Sequence, residues 1–429
     1  TFNVMTGNAS AYKSLFAPWE LSHNSKCAYP HGLGKVGNFK IPCFLHSLYL
    51  QYRKMNAKQS EAFEDAKCVK VGTTTVRFRT ISLTQTVRNI YKVFIVLYKE
   101  GIFPTTDEIV TTPYNQSSTE YHTNYPTIKK RIHTPENDVF WVVPYVVGNA
   151  DAPSLWSRPE FGPALKQIVK MFKLADYTDP QHFCLIGDGA GADAVVKFAP
   201  AILHHFAGVA LANCRRFSRA ELRPFVNVPL FYSPSEELRM DLSCLNEWIE
   251  WVDFCEEAQR ITKVSNKLLH AWSTTSLNSM EVQRFLYAHP RNAYPVRVVW
   301  SQPAGPKHCH FYWLSLLETD ITEEIEVIAQ RESDTLIRVD CKPSKVQQIG
   351  LRLHYDHLSR ENDLWIVFNG VLYNLGKMFE SKKITEITLV HFGDPLLAVS
   401  AQIFISLEKP FSSSGLANAA APKDPTKLF

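Results

Sequence analysis

The sequence lacks long apolar runs, closely spaced cysteines and any concentration of charge, and each absence removes a class of protein. Its main apolar stretches, VFIVLY from Val93 and VFWVVPYVV from Val139, fall far short of the roughly 20 residues a membrane-spanning helix needs, so they read as buried parallel strands and no transmembrane segment is expected. Nine cysteines are an odd number, widely spaced and without a C-x-x-C pair, which suits free thiols in a reducing compartment rather than a disulfide framework. The 46 basic and 42 acidic residues leave a net charge of +4. The only short basic run is IKKR at 128–131, so specific nucleic-acid binding is not expected. The triplet HCH at 308–310 puts neighbouring side chains on opposite faces of a strand with no second cluster to complete a site, so neither metal nor cofactor is expected.

What is present is the composition of a folded globular chain, 45% hydrophobic and 21% charged, long enough for more than one domain. Residues 1–70 read as an N-terminal extension rich in Pro, Gly, His and Asn, with a helix expected where Leu45, Leu48, Tyr52 and Met55 share a face. Over 71–321, strand-like runs alternate with helical periodicity, as in the segment where Leu165, Ile168, Val169 and Phe172 follow Pro163. That alternation predicts an α/β domain, a mainly parallel sheet with helices on both faces. Residues 322–408 are predicted to be a small all-β module, with a type I′ hairpin turn at Asn369-Gly370. Beyond it, 409–429 is a low-complexity tail without apolar period.

One short stretch carries chemical information. IGDGAGADAVV, residues 186–196, reads as the end of a buried strand, a tight turn and the start of a helix near Ala190. A nucleophile elbow has small residues two positions either side of its apex. Gly187 and Gly191 fill those positions, which makes Gly189 the apex. Asp188 is the alternative nucleophile, but centring the turn there would put Ile186 in a position that must be small. A phosphate-cradling glycine loop is a further reading of GDGAGA, weakened by its place after several strands and by the lack of a third glycine in register.

The segment DYTDPQHFCLIGDGAGADAVVKFAPAILHHFAGVALANC resembles the elbow region of α/β-hydrolase-fold esterases and prolyl-oligopeptidase-like peptidases. The resemblance extends over about 75–408, through YKVFIVLYKEG, NAYPVRVVWSQPAGPKHCHFYWLSL and the terminal FNG module, and it implies a hydrolase scaffold with a C-terminal β-module. It places Gly189 at the serine nucleophile's position, Tyr98 and Lys99 where an oxyanion turn usually has His-Gly, Glu236 or the neighbouring Glu237 at the acid, and His270 at the histidine. A triad acts as a unit, so loss of its nucleophile removes nearly all the rate. The expectation is therefore a catalytically inactive scaffold acting as a structural or interaction subunit, its terminal segments contacting other protein subunits.

Two alternatives stand beside that reading. One is an active esterase or peptidase with a displaced nucleophile such as Asp188, Ser233 or Ser235; the other is a small-ligand-binding pseudoenzyme. Free thiols, mild basicity and a start at Thr1, as if a presequence had been removed, suit a mitochondrial matrix or another reducing compartment, with a secreted or periplasmic location as the alternative.

Overall fold

The computed structural model describes residues 66–82, 91–98, 101–103, 139–147, 154–175, 177–238, 241–262, 271–272, 280–304, 310–316, 322–342, 346, 348–353, 362–376, 388–389, 398–399 and 401–406. The expected helix around Leu45–Met55, both terminal segments, Lys99, His270, His308 and Cys309 lie outside them. Among the described residues, the chain divides into two compact units, parted between Ala293 and Tyr294.

In the α/β unit, nine strands make one sheet. They are β1 (Cys68–Val71), β2 (Thr74–Ser82), β3 (Tyr91–Tyr98), β4 (Ile102–Phe103), β5 (Val139–Val147), β6 (Thr178–Asp188), β7 (Gly208–Cys214), β8 (Leu230–Pro234) and β9 (Ala271–Trp272). Their order is β1-β2-β5-β3-β6-β7-β8-β9, with β4 paired to β5. Pairing is antiparallel at β1/β2 and β2/β5 and parallel from β5 through β9. The interior strands β3, β7 and β8 are short apolar runs buried on both sides, as a doubly covered parallel sheet demands.

The helices among the described residues are α1 (Phe161–Leu174), α2 (Ala190–Phe198), α3 (Arg219–Leu222), α4 (Leu242–Thr262) and α5 (Met280–Ala288). On one face of the sheet, Phe94, Trp141, Ile186, Ala210 and Phe231 form a core closed by Val282 and Leu286 of α5. The opposite face holds α1, whose Phe172 ring meets Phe78 at 5.4 Å and Phe140 at 5.6 Å. Thr178 fastens the end of α1 to β6, its hydroxyl donating to the Phe172 carbonyl at 2.6 Å and the Ala175 carbonyl at 3.0 Å. Helices thus cover both faces, and α2 begins at Ala190 as the elbow sequence predicts.

Among the described residues, the second unit is all β. A five-stranded sheet has the order β10 (Arg297–Gln302), β13 (Ile325–Arg331), β14 (Leu336–Lys342), β16 (Trp365–Phe368), β17 (Val371–Asn374). A four-stranded sheet has the order β11 (His310–Phe311), β12 (Leu314–Leu316), β15 (Gln348–Leu353), β20 (Ala401–Ser406); β18 (Thr388–Leu389) and β19 (Ala398–Val399) pair separately. Between β16 and β17, Asn369 (φ 47°) and Gly370 (φ 81°) are both left-handed, as a type I′ turn requires. Asn369 is anchored further by its Oδ1, which accepts from the Cys341 amide at 2.7 Å.

The β unit begins earlier than residue 322. All six residues of β10 pair antiparallel with β13, which assigns the segment after Ala293 to the β region rather than to the α/β sheet. Val298, Val299 and Trp300 are all buried, and an apolar run buried on both sides has the same sequence signature in a parallel sheet and in an all-β core.

Candidate functional site

The strand β6 carries the chain to the carboxyl edge of the sheet, and the turn into α2 is built there. Gly189 has φ 56° and ψ −124°, a conformation strained for any residue with a side chain. Its N–H donates to the Ala212 carbonyl at 2.9 Å, and its own carbonyl accepts from the Ala192 N–H at 2.9 Å. The flanking glycines are sterically required. A Cβ at Gly187 would lie 2.7 Å from the Ala192 nitrogen, and one at Gly191 would collide with the Leu97 carbonyl oxygen. Among the described residues, a Cβ at Gly189 would meet nothing within 4 Å. The described residues therefore form a tight elbow and leave its apex clear, where the sequence supplies only hydrogen.

Around the apex, the other candidates have structural engagements. Asp188 ends β6 with 7% of its surface exposed, and Asn213 Nδ2 donates to its Oδ1 at 2.7 Å. Asn213 sits at the end of β7 with φ 48°, a left-handed conformation that asparagine tolerates better than most residues. Ser233 is fully buried and lies opposite Ala212 in the β7/β8 register, on the face covered by α5. Ser235 is half-buried; its amide donates to the Cys214 carbonyl at 2.9 Å and its carbonyl accepts from Leu238 at 2.9 Å. Glu236 and Glu237 are exposed on the short 3₁₀ turn that follows β8. His270 precedes Ala271, which is paired with Phe231 of β8.

Tyr98 is the register partner of Asp188, and its carbonyl accepts from the Gly101 N–H at 3.1 Å. Gly101 has φ 70°, and a Cβ there would come 2.6 Å from the buried Trp156 ring. Sequence reading missed both Gly101 and Trp156, because their contact spans 55 positions and neither belongs to a periodic pattern.

A second missed feature is the polar clamp beside α2. Arg215 follows β7 and reaches Asp193 in the first turn of α2 at 2.6 Å and Glu221 of α3 at 2.6 Å, with its guanidinium 4.4 Å from the Phe217 ring centre. Burial raises the Glu221 carboxyl, but hydrogen bonds from Arg215 and Ser218 outweigh it and hold the group below its ordinary range. Glu221 and Ser218 also form a reciprocal capping box at the start of α3. The clamp fixes the helix after the elbow to the loop after the neighbouring strand. Among the described residues, no three His, Cys, Asp or Glu side chains gather to hold a metal.

The sheet order, the helices on both faces and the elbow between β6 and α2 define an α/β-hydrolase-like fold with an all-β C-terminal region. No family model and no curated protein matches the chain. Among solved structures it is similar to a thermostable esterase, at 11% identity and TM-score 0.35, over 52% of this chain and 62% of that one. It is also similar to a lipase/esterase from Lactobacillus plantarum, at 11% identity and TM-score 0.33, over 52% of this chain and 96% of that one. A similarity to an S-formylglutathione hydrolase from Staphylococcus aureus has 10% identity and TM-score 0.33, over 52% of this chain and 92% of that one.

Proposed function

We propose that this chain is a catalytically inactive α/β-hydrolase-like protein that serves as a structural or interaction subunit of a larger assembly, in a mitochondrial matrix or another reducing compartment. The observation that carries the reading is the Gly189 apex, where elbow geometry, flanking glycines and open space are kept and no attacking atom is present. Covalent acyl transfer needs a nucleophile within hydrogen-bond reach of a base. Gly189 has none to offer, Asp188 is held by Asn213, and Ser233 is sealed inside the sheet. The terminal segments 1–44 and 410–429 lack apolar periodicity in their sequence and supply the adhesive surfaces of this reading.

Fluorophosphonate labelling and ester turnover test the inactivity directly. Background labelling is expected for the wild-type chain; stoichiometric modification of any serine overturns the reading. Gly189→Ser places a hydroxyl in open space but recovers no useful turnover, because Tyr98 stands where a donor turn would be needed and loss of one oxyanion donor costs about 10²–10³ in rate. The assembly role is tested by purification from the native source with and without both terminal segments: the full chain is expected to run in a larger complex, and the truncated chain to lose the subunits that the terminal segments hold.

A further inference from the structure

Helix α4 has more apolar surface than the described residues cover. One face is spent inward: Cys244, Trp248, Trp251 and Cys255 are buried, Trp248 stacks on Tyr232 at 5.2 Å, and Trp251 Nε1 donates to the Leu222 carbonyl at 3.0 Å. These residues recur at intervals of four, three and four, the stripe that seats a helix on a body. A second stripe runs beside it at intervals of three, four and three: Leu242, Leu245, Ile249 and Val252. Leu242 is 73% exposed and Ile249 46% exposed, and these are two of the three large hydrophobic residues exposed among the described residues. Leu245 and Val252 are half-buried between them.

The rim of this stripe is acidic. Asn246, Glu250 and Asp253 are exposed along its solvent side, while Glu247 is turned away to Arg216 at 2.9 Å. Over 236–253 the sequence holds six carboxylates (Glu236, Glu237, Asp241, Glu247, Glu250 and Asp253) against one basic residue, Arg239, in a chain whose net charge is +4. A second copy of the same helix would set Glu250 and Asp253 against like charges, which opposes self-pairing. The stripe covers about 15 Å of helix at 1.5 Å per residue, enough to seat three turns of a partner.

We infer that the Leu242–Val252 face of α4 docks a basic amphipathic helix of a partner protein. Leucine-like side chains at three-four spacing would fill the stripe, and flanking Lys or Arg would meet Glu250 and Asp253. The inference deepens the interaction role proposed above by naming a surface and a kind of partner, and serine-directed labelling, which tests the inactivity, does not read it.

The test uses the full chain and three labelled 18-residue peptides: leucine at three-four spacing with lysine elsewhere, the same peptide with glutamate for lysine, and a scrambled lysine peptide of equal composition. Fluorescence anisotropy is expected to show binding of the first at least about tenfold tighter than the other two. Leu242→Ser with Ile249→Ser should weaken it by at least about tenfold, since two buried aliphatic contacts are lost. Glu250→Gln with Asp253→Asn should weaken it severalfold and flatten its salt dependence. Near-ultraviolet circular dichroism checks that the variants keep the fold, and peptide-dependent hydrogen-exchange protection of 242–253 in the wild type gives an independent reading. Equal binding of the scrambled peptide, or no protection at 242–253, overturns the proposal. So does a wild-type dimer in light scattering that the serine variant turns into a monomer, which would make a second copy the occupant.

Discussion

Gly191 lies so close to the Leu97 carbonyl that no side chain fits between α2 and β3. This contact and that of Gly187 with Ala192 are what let the helix leave β6 so abruptly, while Gly189 between them faces open space. The three glycines therefore differ in kind. Gly191→Ala requires backbone to move, and overpacking of this sort costs about 1–3 kcal/mol or more. Gly189→Ala meets no atom of the described residues and carries only the strain of a left-handed apex, about 1–3 kcal/mol. Urea denaturation should rank the two substitutions with Gly191→Ala the more destabilising; the reverse order would mean that the elbow is not packed as described.

The thiols give a second check on the packing. Burial pushes Cys184 and Cys214 well above the usual thiol range, and Cys244 is raised for the same reason. Cys255 is also buried, whereas Cys68 is only half-buried. Thiolate is the reactive form, so native protein treated with iodoacetamide near pH 8 should be alkylated at Cys68 well before these four. Mass spectrometry after brief exposure reads the order, and labelling in urea should remove it.

Acid should loosen the clamp beside the elbow. Burial raises Glu221, yet the bonds from Arg215 and Ser218 leave it below its ordinary value of 4.5 in the folded chain. A depressed carboxyl contributes stability that is fully present above the unfolded value and is lost as pH falls through the folded one. Because the pair is partly exposed, its worth is at most about 1 kcal/mol. Glu221→Gln should lower the urea midpoint slightly at neutral pH and reduce the further drop on acidification below 4.5. An unchanged acid limb in the variant would show that Arg215 and Glu221 do not act as a pair.

Much of the architecture was readable because it depended on local geometry. The elbow followed from glycine spacing, the helix start at Ala190 from the elbow, and the β16–β17 hairpin from Asn369-Gly370, whose two positive φ angles few other pairs tolerate. The strand β10 was not readable: Val298 to Trp300 are buried whichever sheet they join, and only the pairing of Arg297–Gln302 with Ile325–Arg331 decides it. Arg215 was also opaque, since its partners Asp193 and Glu221 lie 22 positions before it and 6 after it and only the fold brings the three together. Glu236 and Glu237 stay equivalent by exposure, both on the turn after β8.

Asp188 offers the last test, because it is the only carboxylate adjoining the apex in sequence. A nucleophilic aspartate must present a carboxylate oxygen to substrate, whereas Asp188 is 7% exposed and takes a 2.7 Å bond from Asn213. Its role on this geometry is to tie the end of β6 to the end of β7, holding the strained turn between them. Asn213→Ala removes the donor and forces alanine into a left-handed backbone, so a loss of about 1–3 kcal/mol is expected. Asp188→Asn should be milder, since an amide can still accept through its oxygen. Neither variant should change ester turnover from background. A measurable hydrolysis in the wild type that Asp188→Asn abolishes, with the fold intact by circular dichroism, would make Asp188 a working nucleophile and reverse the proposed function.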